Sequence, residues 1–175
     1  MAGQEPAFEI VRAKIARQWF VLEHGKVACS LTEFQEPDQK HKSFRLKSEH
    51  GDWLIRTTKR WSKYQLFRQG EDDYSAELRA NHSPSLFAEE PDQVSDLYID
   101  LVSYRASEMG HRWRVKLKEE PILDYGKPWR DADSSRRVCY QIYVTQELNP
   151  RHRDLLLLAP LFWSGMEMHS PSTVH

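Results

Sequence analysis

Four basic residues at every second position, Arg112, Arg114, Lys116 and Lys118, form the pattern in this chain that most directly suggests chemistry. In an extended strand, residues two apart share a face, and a rise of roughly 3.3 Å per residue sets successive charges about 6.5–7 Å apart. A stripe of this kind can meet the phosphates of an anionic surface, each cation near a membrane contributing about 1 kcal/mol. Arg56, Lys59 and Arg60 are candidate neighbours. The competing reading is that alternate charges keep an outward strand face soluble and discourage edge pairing.

Other groups with chemical potential are less well placed. The run Asp131, Asp133 and Ser135 begins like a calcium-binding loop, but its sixth position is Arg136 where glycine is needed, and its twelfth is Ile142 where a bidentate glutamate is needed. A solvated turn fits better. Eight histidines, at 24, 41, 50, 82, 111, 152, 169 and 175, are scattered, and none sits at metal-ligand spacing from another histidine or a cysteine. Cys29 and Cys139 lack the local turn and donors that activate a nucleophile. Glu119, Glu120, Glu71, Asp72 and Asp73 stand where turns are expected, and acidic residues are common there anyway. The six tryptophans, Trp19, Trp53, Trp61, Trp113, Trp129 and Trp163, can line a pocket, although at alternating strand positions such as 53 and 113 they are expected to pack. No catalytic residue, metal site or cofactor is expected.

Composition narrows the class. With 175 residues, 39% hydrophobic and 29% charged, the chain fits one globular domain with its own core. A formal net charge of −1 supplies no global field toward nucleic acid, so any anion binding must come from a local patch. The first ten residues carry neither the basic nor the apolar part of a leader. Together with two thiols far apart in sequence, this gives an expectation of a cytoplasmic protein, peripheral to membranes at most. The longest apolar run, 155–163, is short of the roughly 20 residues a bilayer requires, so no transmembrane segment is expected.

The elements that must carry these residues read mainly as strands. FEIV and 16–22 precede a turn at 23–26, and 27–34 return beside them; 36–42 is a charged connection. From residue 43 the period is two: Phe44 and Leu46 on one face, a turn at 49–52, then Trp53, Ile55 and Thr57. Strands follow at 64–68 and 74–80, with Tyr74, Ala76, Leu78 and Ala80 on one side. The stretch 81–95, with two prolines, reads as a long loop. Leu97, Ile99 and Leu101 and then Trp113, Val115 and Leu117 alternate next, 124–128 reads as a turn, and Val138, Tyr140, Ile142 and Val144 as the last strand.

After that the period changes. Asn149 and Pro150 suit an N-cap and the first helical position, and Asp154 suits the positive end of the dipole. Leu155 to Leu158, Ala159, Leu161, Phe162 and Trp163 cover every side of a helix, the pattern of an element buried all round. Pro160 is expected to kink it or end it early.

The segments SFRLKSEHGDWLIRTTKRW (43–61), YQLF (64–67), YSAELRA (74–80), ILDYGKPW (122–129) and CYQIYVTQELNPRHRDLLLLA (139–159) give this chain short hairpins followed by a wholly apolar helix. In this it resembles the tubby C-terminal-like superfamily, in particular its LURP-one-related and phospholipid-scramblase-like branch. That resemblance implies an antiparallel β-barrel of short hairpins enclosing one apolar C-terminal helix, and it implies phosphoinositide or membrane binding in some members. The expected organisation is a flexible N-terminus (1–7), a single tubby-like barrel domain (8–165) and a polar C-terminal tail (166–175). The expected function is a non-enzymatic binding module whose outer basic strand face, Arg112, Arg114, Lys116 and Lys118, engages an anionic lipid headgroup or a protein partner. The alternative is a barrel enzyme or carrier holding a hydrophobic ligand inside, which requires an open interior. A third reading lets the last helix detach and dock in a partner groove.

Overall fold

The computed structural model describes residues 5–14, 17–58, 63–79, 85–88, 97–106, 110–128, 138–150 and 152–167. Within them the chain is mainly β. The strands are β1 (Phe8–Arg12), β2 (Gln18–Glu23), β3 (Lys26–Phe34), β4 (Ser43–Ser48), β5 (Gly51–Thr57), β6 (Lys63–Arg68), β7 (Ala76–Arg79), β8 (Ser85–Ala88), β9 (Leu97–Ala106), β10 (Gly110–Leu117), β11 (Glu120–Gly126) and β12 (Val138–Val144), followed by one helix, α1 (Arg153–Glu167). All join one antiparallel sheet in the order β1-β12-β11-β10-β9-β8-β7-β6-β5-β4-β3-β2. β1 is bonded on one side to β12, with Phe8 opposite Ile142, and on the other to β2, with Ile10 opposite Val21.

The period-two pattern decides which side chains meet. Leu46 opposes both Leu31 and Trp53, and Ile55 opposes Leu66, so cross-strand apolar pairs line one face of the sheet. Ile10, Trp19, Val21, Leu31, Leu46, Ile55, Leu66, Leu78 and Leu86 on that face are fully buried. Where the chain turns tightly between β2 and β3, His24 and Gly25 take φ of 49° and 79°, the left-handed region that a two-residue hairpin loop demands.

The helix completes this core. Leu155, Leu156, Leu157, Leu158 and Leu161 are all buried and belong to the same cluster as the inward strand residues. Its entry is fixed by polar contacts: the Ser48 hydroxyl donates to Asp154, and Arg153 pairs with Glu23 while its guanidinium lies 5.5 Å from the Phe8 ring centroid. Asp154 is in the first turn, where a carboxylate suits the exposed N–H groups.

Several expectations are corrected. Leu156 N–H donates to the His152 carbonyl, which makes His152 the capping position; Asn149 instead closes a preceding turn by accepting from His152 N–H. α1 continues past Pro160 to Glu167: proline denies only one bond, that to the Leu156 carbonyl, and the buried Leu155, Leu156, Leu157, Leu158 and Leu161 on both sides of it offset that loss. Residues 85–88, read as part of a long loop, form β8 between β7 and β9. Asp124, Tyr125 and Gly126, read as a turn, are the end of β11. Tyr74 precedes β7 and is about half exposed, not on its inner face. Among the described residues no helix is long and apolar enough to cross a membrane.

Candidate functional site

The basic residues of β10 do alternate with apolar ones, but their environments differ sharply. β10 and β11 form a hairpin whose turn, Lys118 and Glu119, has φ of 50° and 71°. Opposite residues are Arg112 and Gly126, Trp113 and Tyr125, Arg114 and Asp124, and Val115 and Leu123, after which Ile122 is an extra residue and Lys116 faces Pro121. On the neighbouring ladder Asp124 faces Tyr143 and Gly126 faces Gln141.

On the inner side, Trp113 stacks on Tyr125 at 5.3 Å between centroids and 17° between planes, and Tyr140 meets both rings edge-on at 6.0 and 5.9 Å. This three-ring cluster ties β10, β11 and β12 together.

The outer side carries an ion pair and a buried cation. Arg114 grips Asp124 with two parallel bonds, Nε to Oδ1 at 2.9 Å and Nη2 to Oδ2 at 3.2 Å, and the Asp124 side chain is only 2% exposed. Arg112 is 1% exposed. Its guanidinium lies across Gly126: a Cβ there would stand 2.9 Å from Nη1 and 3.1 Å from Cζ. The Tyr143 ring covers it, with Cζ 5.1 Å from the centroid. Among the described residues no acceptor meets Arg112 Nε or Nη2. Tyr143, itself buried, has its hydroxyl 3.2 Å from Gln141 Oε1, and burial pushes its phenol pKa up, the Arg112 charge opposing and the Glu9 charge adding.

The four cations therefore do not form one exposed basic stripe. Arg112 is sunk beneath an aromatic ring, Arg114 is held by a carboxylate, Lys116 is half-buried, and Lys118 is exposed in the turn. Asp124, Gly126 and Tyr143 are the residues that the sequence reading did not connect to the stripe. Symmetry about the turn at 118–119 would pair 114 with 123; the extra residue at 122 brings Asp124 opposite Arg114, and hairpin spacing alone does not reveal it. Of the candidate neighbours, Arg56 belongs elsewhere, bound to Glu36, while 59 and 60 lie outside the described residues.

The remaining candidates stay separate. Cys29 is buried, and burial first, then the Asp154 charge, pushes its thiol up to about 12, far from a nucleophile's range. Cys139 is half-buried with its pKa also raised by burial. Glu71, Asp72, Asp73, Glu119 and Glu120 are exposed. The calcium-like run 131–135, Trp61, Trp129 and the polar tail from 168 lie outside the described residues, as do the side chains of His111 and Trp163. Among the described residues no three histidine, cysteine or acidic side chains gather as a metal would require. Three depressions, of about 500, 390 and 340 Å³, open on the surface at β1 and β12, at β7 and β8, and beside the start of α1.

No protein-family model, curated protein or solved structure matches this chain.

Proposed function

We propose that this protein is a non-enzymatic binding module, a tubby-like barrel plugged by α1, that takes an anionic group on the outer face of β10, β11 and β12. The barrel reading is supported by β1 being bonded to both β2 and β12, and by five helix leucines packed among the inward strand residues. An interior so filled favours a surface function over a ligand held inside.

The observation that carries the proposal is Arg112. A buried guanidinium whose Nε and Nη2 meet no acceptor among the described residues is costly, of the order of several kcal/mol, and it lies next to a second arginine already neutralised by Asp124. An anion brought to this face would remove that cost, which gives the face a preference for negative charge that the chain's net charge of −1 does not. Lys116 and Lys118 flank the approach from the turn.

Binding to vesicles with and without anionic lipid, and to acidic and neutral peptides, tests the proposal. Wild type should bind at least one anionic partner, more weakly as salt is raised, and Arg112→Lys should bind less, with Lys116→Ser and Lys118→Ser reducing the rate of association more than the final affinity. Absence of binding to every anionic partner, or binding untouched by all three substitutions, would refute it.

A further inference from the structure

We propose that the Nε/Nη2 edge of Arg112 is a receptor for one carboxylate supplied from outside the chain, a proposal that rests on the anion-binding reading above and names its ligand. Nε–H and one Nη2–H of an arginine point the same way, side by side, and match two oxygens of a planar carboxylate. This protein uses that edge twice on its own residues. Arg56 donates from Nε and Nη2 to the two oxygens of Glu36, at 3.0 and 2.8 Å, and Arg114 does the same to Asp124. Arg112 presents the same edge, buried, and none of the described acceptors meets it.

The edge is oriented before any ligand arrives. Gly126 leaves the guanidinium room to lie flat against the strand, and Tyr143 covers its face, so the side chain has little rotamer freedom left to lose on binding. The inner ring cluster of Trp113, Tyr125 and Tyr140 holds the three strands that carry these residues.

Charge selects the class of ligand. Arg112, Arg114 and Lys116, set against Asp124 and Glu9 in the same patch, leave one positive charge. One negative charge completes the balance. A doubly charged phosphate monoester would put a surplus charge next to Asp124 and Glu9, so a carboxylate is favoured, whether from a small organic acid or from an acidic side chain of a peptide. The edge is closed from solvent in this structure, so binding requires a local opening of the face.

The test follows the arginine Nε–H resonances of the full-length protein by NMR during titration with acetate, with a blocked peptide holding one glutamate, with methyl phosphate, and with chloride at matched ionic strength. The Arg112 resonance, assigned by its disappearance in Arg112→Lys or by through-bond correlation in wild type, should move saturably with acetate or the peptide and not with chloride. Acetate and the peptide acting alike would indicate a free acid as the minimal ligand; a stronger response to the peptide would indicate a protein source. Gly126→Ala, whose backbone spectrum reports whether it folds, should bind about tenfold more weakly, the loss of roughly one charge-assisted hydrogen bond. A resonance that no carboxylate moves, or that moves equally with chloride, would overturn the inference. A response to methyl phosphate alone would also overturn it while leaving the anion-binding reading intact, and the vesicle and peptide experiment would decide that reading separately.

Discussion

Glu36 shows how single residues set the acid limit of this protein. Its carboxyl pKa is lowered, chiefly by the hydrogen bonds from Arg56 and further by the hydroxyl of the buried Ser43. A carboxyl held below its unfolded value adds stability that is present above the unfolded pKa and is lost as the pH falls through the folded one. Denaturant titrations carried from the ordinary glutamate range to lower pH should therefore show wild-type stability declining on acidification, and Glu36→Gln should lower stability at neutral pH and flatten that decline. The two thiols give a second check. With Cys29 pushed up to about 12 and buried, and Cys139 also raised by burial but only partly covered, alkylation of the native protein at mildly alkaline pH should be slow at both and reach Cys139 first. Mass spectrometry of the alkylated peptides reads the order, and Cys29 reacting first would mean that the core around Ser48 and Asp154 opens readily.

At the scale of elements, α1 is the piece on which the rest leans. Leu157→Ala or Leu158→Ala should cost about 2–5 kcal/mol, as expected for a buried leucine whose surroundings cannot fully collapse, measured by the shift in denaturation midpoint. Amides of 157–161, other than that of Pro160, should exchange as slowly as those of β3 and β4 if the helix is a fixed part of the core; rapid exchange there would instead favour a helix that leaves to dock elsewhere. How much of this was legible varied with the competition at each site. The hairpins around 24 and 50 and the all-round apolar helix were readable because pattern and turn residues agreed. β8 was not, since four residues are too few to show a period and Phe87 points to solvent. The end of β11 was missed because aspartate and glycine are turn formers in isolation, whereas here Asp124 is drawn into the strand by Arg114 and Gly126 is needed under Arg112. The stripe at 112–118 was legible as a stripe; that Arg114 would be neutralised and Arg112 buried depended on cross-strand partners, which periodicity along one strand does not reveal.

For the molecule as a whole, sheet and helix share a single cluster of buried residues, so neither has a core without the other. Thermal unfolding followed by far-ultraviolet dichroism and by tryptophan fluorescence, which reports Trp19 in the centre, should give coincident transitions. Separate midpoints would show that the sheet holds together after the helix is lost. Every ladder but one joins strands adjacent in the sequence, the exception being β1 with β12. During synthesis at the ribosome, then, hairpin after hairpin can zip as the chain emerges, yet the inward faces of all of them remain uncovered until 138–144 reach back to Phe8 and the leucines behind them are made. Until then the growing sheet carries an uncovered apolar face, and its core closes only once β12 and α1 have both been made.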